Sequence, residues 1–148
     1  MKIPKGRLIV IGGAEDKGVG SSGMANLMND YVELEILKAL VPSGNKGKIE
    51  IITTASSVPK KTFEAYIHAF ELLNFKNVQG MDIYNREEAS IPEYVERIKE
   101  ANTVLLSGGD QFKLSTILSS TEVMGAILHK YKTDRNFTIA GTSAGAMA

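Results

Sequence analysis

Three short, nearly continuous apolar runs end in glycine. Arg7-Leu8-Ile9-Val10-Ile11 leads into Gly12-Gly13, Thr103-Val104-Leu105-Leu106-Ser107 into Gly108-Gly109, and Phe137-Thr138-Ile139-Ala140 into Gly141. A strand with one face in water alternates apolar and polar residues. A run without that alternation suits a strand buried on both faces, as in a parallel sheet. Lys48 to Ala55 adds a fourth, β-branched strand, and Asn77 to Tyr84 a weaker one interrupted by Gly80. Helical periodicity fills the gaps between them. Leu27, Tyr31, Leu34, Leu37 and Leu40 mark one helix, widened by Ile36 and stopped by Val41-Pro42-Ser43-Gly44-Asn45. Phe63, Ile67, Phe70 and Leu73 mark a second helix over Lys60 to Asn74. Pro92 opens a third, with Tyr94, Val95 and Ile98 apolar. Asp110 to about Tyr131 is also helical, with a break near Ser119-Ser120-Thr121. Regular alternation of strand and helix predicts an α/β fold, a three-layer sandwich with a mostly parallel sheet and helices on both faces.

The 148 residues suit one domain, with no repeat and no linker, and 43% hydrophobic content is enough for a sizeable core. Lys+Arg and Asp+Glu are both 17, so there is no basic excess of the kind nucleic-acid binding needs. Cysteine is absent, which excludes a disulfide framework, a thiolate zinc site and a cysteine nucleophile. No run is long enough for a signal-peptide core or a membrane span, so a cytoplasmic protein with no membrane partner is expected.

Ligands of open α/β sheets bind beyond the carboxyl ends of the strands. Three distinctive loops would meet on that edge: Gly12-Gly13-Ala14-Glu15-Asp16, Ser107-Gly108-Gly109-Asp110-Gln111 and Gly141-Thr142-Ser143-Ala144-Gly145. The last follows the G-x-S-x-G pattern of a nucleophile elbow, in which a serine sits on a sharp strand-to-helix turn. The same five residues also fit a plain small-residue turn. As a nucleophile, Ser143 needs a base to take its proton. The chain has two histidines, His68 and His129, both on predicted helices where a structural role fits, so no residue here is assigned as the base. An oxyanion hole is better supplied. The Ala144 amide is the usual first donor, and glycines at 108 and 109 allow an amide of Gly109 or Asp110 to point into the site. Gln111 suits a substrate contact, or simply the first turn of a helix capped by Asp110. Glu15 either lines the site or belongs to a solvated loop. Gly18-Val19-Gly20-Ser21-Ser22-Gly23 reads literally as G-x-G-x-x-G. It lies too far from the strand end, and without the downstream acid, to indicate a dinucleotide.

Gly-Gly-Ala-Glu-Asp-Lys after the Arg7–Ile11 run, Gly-Gly-Asp-Gln after the Thr103–Ser107 run and Gly-Thr-Ser-Ala-Gly-Ala after the Phe137–Ala140 run together resemble the cyanophycinases, in the serine peptidase family that also holds the aspartyl dipeptidases. The resemblance spans essentially the whole chain. It implies a fold like class I glutamine amidotransferases, which is flavodoxin-like, with serine replacing their cysteine. It also implies hydrolysis of cyanophycin, a polyaspartate with arginine on each side-chain carboxyl, to β-Asp-Arg dipeptides. Ser143 matches the family nucleophile, Gln111 a substrate-pocket glutamine, and Gly109, Asp110 and Ala144 the oxyanion-hole amides. No metal or organic cofactor is implied, and a homodimer is. The family's catalytic histidine, its acidic partner and its substrate-gripping arginines follow the nucleophile, beyond residue 148. The expectation is therefore the N-terminal, nucleophile-bearing part of a longer catalytic domain. An aspartyl or isoaspartyl dipeptidase, and a non-catalytic α/β binding module, are the alternatives.

Overall fold

The computed structural model describes residues 2–11 and 34–142. Five strands form one sheet: β1 Arg7–Ile11, β2 Ile49–Ile52, β3 Val78–Met81, β4 Thr103–Leu106 and β5 Thr138–Thr142. Their spatial order is β1-β5-β4-β2-β3, and every pairing is parallel. Residues 34–38 are helical (α1). Four further helices follow: α2 Pro59–Leu72, α3 Pro92–Glu100, α4 Gln111–Leu118 and α5 Glu122–Thr133. This is the α/β sandwich expected from the alternation of elements.

Strand pleating sends neighbouring residues to opposite faces, and two separate cores result. Ile49, Ile51, Leu105 and Ala140 pack with Leu37, Leu40 and Phe70, under α1 and α2. Ile52, Val104, Leu106 and Ile139 pack with Ile98, Leu114, Val123 and Ile127, under α3, α4 and α5. β2, β4 and β5 are therefore buried on both sides, which is why their sequences do not alternate. Each buried Ile, Leu or Val side chain contributes about 1.5–3 kcal/mol. The sheet edge at β1 differs: Leu8 and Val10 are 54% and 60% exposed.

Helix ends follow local chemistry. Pro59 and Pro92 occupy first-turn positions, where no amide partner is lost. Asn74, with φ 59°, closes the turn after α2. The break between α4 and α5 falls at Ser120 (φ 59°), and Thr121 caps α5 by accepting from the Met124 amide at 3.3 Å. The expected strand from Lys48 to Ala55 is too long. Only Ile49–Ile52 is extended in the sheet, because the chain turns at Thr53, where the Ser56 amide donates to the Thr53 carbonyl at 3.0 Å.

Among the described residues one charged side chain is fully enclosed. Glu50, between Ile49 and Ile51, is 1% exposed. Arg97 of α3 meets it with two bonds, Nε to Oε1 at 3.0 Å and Nη2 to Oε2 at 2.7 Å, and also donates to the Gly80 carbonyl at 2.9 Å. Burial pushes the Glu50 carboxyl above its ordinary value, and Arg97 pulls against that rise. Arg97→Met leaves a buried carboxylate without its cation, a loss of about 3–5 kcal/mol at neutral pH. The sign with pH is fixed by the raised value. The favourable contribution of the neutral form is present below the unfolded-state pKa and is lost as pH rises through the folded one. The Arg97→Met penalty should therefore shrink on acidification from pH 7 towards 4.5, as read from urea midpoints of both proteins at each pH.

Candidate active site

The strand order creates a crevice. After β2 the chain leaves through α2 on one face; after β4 it leaves through α4 and α5 on the other. β2 and β4 are neighbours, so their carboxyl ends diverge at a topological switch point, where open α/β sheets bind ligands. The loop 107–110 lies there, with the turn 53–58 beside it. β5, on the other side of β4, runs in register with it, Leu106 opposite Gly141. Thr142, the last residue of β5, immediately precedes Ser143 in the chain.

Gly109 has φ 138°, a backbone region open essentially to glycine. A Cβ there would also run into the Ala55 carbonyl, 2.6 Å from its carbon and 3.0 Å from the Ser56 nitrogen. The two loops touch directly: the Asp110 amide donates to the Ala55 carbonyl at 2.8 Å. That bond corrects one expectation. The Asp110 N–H, one of the amides expected to point into an oxyanion hole, is turned into the neighbouring loop. Asp110 acts instead as the N-cap of α4, its Oδ1 accepting from the Lys113 amide at 3.1 Å. The Gly109 amide has no acceptor among the described residues. Gln111 starts α4, exposed at the mouth of the crevice.

Beneath the loop is a layer of hydroxyls. Thr53, Ser107 and Thr142, at the ends of three adjacent strands, are 4%, 0% and 6% exposed. The Tyr66 hydroxyl of α2 lies 3.4 Å from Thr142 Oγ1. Ser107 Oγ is fully buried and has no partner among the described residues. Sequence reasoning passed over this serine, since a hydroxyl at the end of an apolar strand reads as part of the turn. Its one signal is that it follows Leu105-Leu106 and precedes paired glycines.

Ser143, Ala144 and Glu15 lie outside the described residues, as do the loop Gly12–Asp16 and the Gly18–Gly23 segment. Both histidines are exposed. His129 is near the end of α5, which delivers the chain to the amino end of β5 at the opposite edge of the sheet. His68 is in the tenth position of α2, about 14 Å along it from the crevice at 1.5 Å per residue. Among the described residues no group of three or more His, Asp or Glu is placed to hold a metal.

The model of peptidase family S51 matches residues 19–148. This chain belongs to peptidase family S51. The S51 assignment is carried by relatives along almost its whole length. It is 35% identical to a cyanophycinase of Nostoc sp. over 144 residues, 96% of this chain and 44% of that protein. It is 30% identical to a cyanophycinase of Geminocystis herdmanii over 141 residues, 94% of this chain and 47% of that one. The S51 chain thus spans less than half the length of these relatives. Among solved structures it resembles a peptidase from an acI-B1 actinobacterium, with TM-score 0.72 and 26% identity over 96% of this chain and 55% of that one. A protein from Listeria monocytogenes assigned to peptidase E gives TM-score 0.59 and 28% identity over 76% of this chain and 54% of that one.

Gly109→Ala combines a disallowed φ with a backbone clash, and should cost about 2–5 kcal/mol. The urea midpoint should fall accordingly, while Gly125→Ala, where a Cβ meets nothing within 4 Å, should be neutral or stabilising.

Proposed function

We propose that this chain is the N-terminal, nucleophile-bearing part of a serine peptidase that hydrolyses cyanophycin to β-Asp-Arg dipeptides. The observation that supports this most is the adjacency in the sheet. β5 leads directly into Gly141-Thr142-Ser143-Ala144-Gly145, and its neighbour β4 ends in the Gly108–Gln111 loop at the switch point. The likeness to the Nostoc and Geminocystis cyanophycinases supports the substrate class.

In this reading Ser143 Oγ attacks the scissile carbonyl carbon as its proton passes to a base. The oxyanion of the tetrahedral intermediate is held by backbone amides, those of Gly109 and Ala144. Collapse breaks the C–N bond, the amine leaves with the proton, and water then hydrolyses the acyl-enzyme. Gln111, exposed beside the loop, holds a polar group of the substrate, and Glu15 lines the same edge. In this reading the base, its acidic partner and the arginines that grip the substrate are supplied from outside these 148 residues. The reaction needs no metal or cofactor, and the full-length enzyme is a cytoplasmic homodimer.

A second reading keeps the chemistry and changes the substrate. The likeness to the Listeria protein assigned to peptidase E favours an aspartyl dipeptidase. Rates on cyanophycin and on short Asp-X dipeptides separate the two, and failure of the full-length protein on both would favour a non-catalytic module. In the full-length enzyme Ser143→Ala should lower kcat by about 10,000-fold or more; retained turnover would remove Ser143 from the role. Gln111→Ala should raise KM about 5–20-fold with a smaller change in kcat, the loss of one substrate hydrogen bond. The 148-residue piece alone should show no appreciable turnover in the dipeptide-release assay, because a serine without its base retains only residual catalysis.

A further inference from the structure

We propose that Phe112 sets substrate specificity, its exposed ring serving as a platform for the guanidinium of a substrate arginine. This deepens the reading of cyanophycin as substrate and rests on it. The starting point is an exposure that stability does not explain. Phe112 is 79% exposed, more than any other aromatic side chain among the described residues. It follows Gln111 directly in the first turn of α4, at the mouth of the crevice. Two further large apolar side chains are half exposed at the neighbouring strand ends. Val58 closes the turn after β2 at 51%, and Tyr84 follows β3 at 53%. The Thr54 hydroxyl donates to the Ile83 carbonyl at 2.9 Å and so holds the Tyr84 segment against the turn 53–58.

The backbone that carries the ring is fixed. The Asp110 amide is tied to the Ala55 carbonyl at 2.8 Å, Asp110 Oδ1 accepts from the Lys113 amide, and Ser115 Oγ donates to the Phe112 carbonyl at 3.2 Å. α4 buries Leu114, Ile117 and Leu118, and at 3.6 residues per turn Phe112 falls on the opposite side. A helical side chain leans towards the N-terminus of its helix, so Phe112 covers the turn before it, the loop 107–110. A fixed ring presented to solvent beside a binding crevice suits a planar, weakly hydrated cation, and a guanidinium is one. The surroundings favour the same ligand. The segment 82–88 carries the exposed carboxylates of Asp82 and Glu87, while its one cation, Arg86, is turned to the Thr116 and Ser119 carbonyls of α4 and its end. Lys113, next in the chain, is only partly exposed and lies about 100° round the helix. Cyanophycin carries an arginine on each side-chain carboxyl, so a substrate held at Gln111 brings one to the adjoining residue.

The test uses the full-length enzyme with Phe112→Ala, Phe112→Leu and Phe112→Tyr. Two synthetic substrates are compared: a short oligomer of β-Asp-Arg units, and the same oligomer with citrulline, the uncharged isostere, in place of arginine. The readouts are kcat and KM (or the inhibition constant for an oligomer that is not cleaved), the melting temperature, and the oligomeric state by gel filtration. Phe112→Ala should raise KM for the arginine oligomer about 3–10-fold and leave kcat within about twofold, the loss of one stacked cation. Phe112→Leu, which keeps apolar bulk without the ring, should behave like the Ala variant. Phe112→Tyr should stay within about twofold of the parent. For the citrulline oligomer all four proteins should agree within about twofold, and all should melt within a few degrees of one another. A parent-like KM for the arginine oligomer in the Ala or Leu variant would overturn the role. So would equal losses on both oligomers, which would make the contact a plain apolar one. A changed oligomeric state in the Ala variant would overturn it too, by making Phe112 a contact between copies. If the unsubstituted enzyme does not cleave the arginine oligomer, the substrate reading itself fails and takes this inference with it. If it does, and the Ala variant cleaves it with the same KM, only the inference fails.

Discussion

Burying a parallel sheet on both faces is the constraint from which the rest of this structure follows. Parallel neighbours cannot be joined by tight turns, so each return must cross a face as a helix. Those helices cover the sheet and complete two cores, one holding Ile49, Ile51 and Leu105, the other Ile52, Val104 and Leu106. The same requirement gathers all five carboxyl ends on one edge. Function can then be placed on loops at that edge while the strands beneath stay apolar and rigid. Where the returns change face, between β2 and β4, the loops diverge and leave a crevice.

How much of this was legible in the residues depended on how local the signal was. Apolar runs at 103–106 and 138–140 marked buried strands, and both are buried on two faces, whereas the similar run of β1 lies at the sheet edge with Leu8 and Val10 exposed. The helix break near Ser119-Ser120-Thr121 was legible for a similar reason, because small hydroxyl residues compete for backbone partners. Strand order was not legible. It is set by which faces the helices choose, and no residue between β3 and β4 announces that the chain crosses back over β2. The bond from the Asp110 amide to the Ala55 carbonyl was equally hidden, because it joins residues 55 apart and depends on that crossing. The Gly-Gly-Asp-Gln motif pointed to the right loop, yet the bond decides which of its amides faces the neighbouring loop.

Glu50 shows the same limit from the energetic side. In Lys-Ile-Glu-Ile-Ile a single carboxylate reads as the polar position of a half-exposed strand. Instead it is enclosed and held by a two-pronged guanidinium from α3, which also takes the Gly80 carbonyl of β3. Arg97 therefore ties helix, central strand and edge strand together at one point. Such a pair is weak evidence for added stability, because removing two charges from water offsets most of their attraction. Its clearer physical consequence is registry: the fork geometry admits one placement of α3 over β2 and β3.

Site and scaffold differ in how they treat polar groups. In the scaffold they are matched: Thr54 donates to the Ile83 carbonyl, Thr103 to that of Leu40, Arg86 to those of Thr116 and Ser119. Two groups at the carboxyl end of β4 depart from that matching. Gly109 holds a conformation other residues avoid, its amide meets no acceptor among the described residues, and Ser107 is buried without a partner there. Stability alone would favour an apolar residue at 107 and an unstrained one at 109. Both departures fall at the same end of β4, beside the strand that leads to Ser143. His68 and His129 are carried by helices whose own packing directs them to solvent. The matched cyanophycinases have more than half their length outside the shared region.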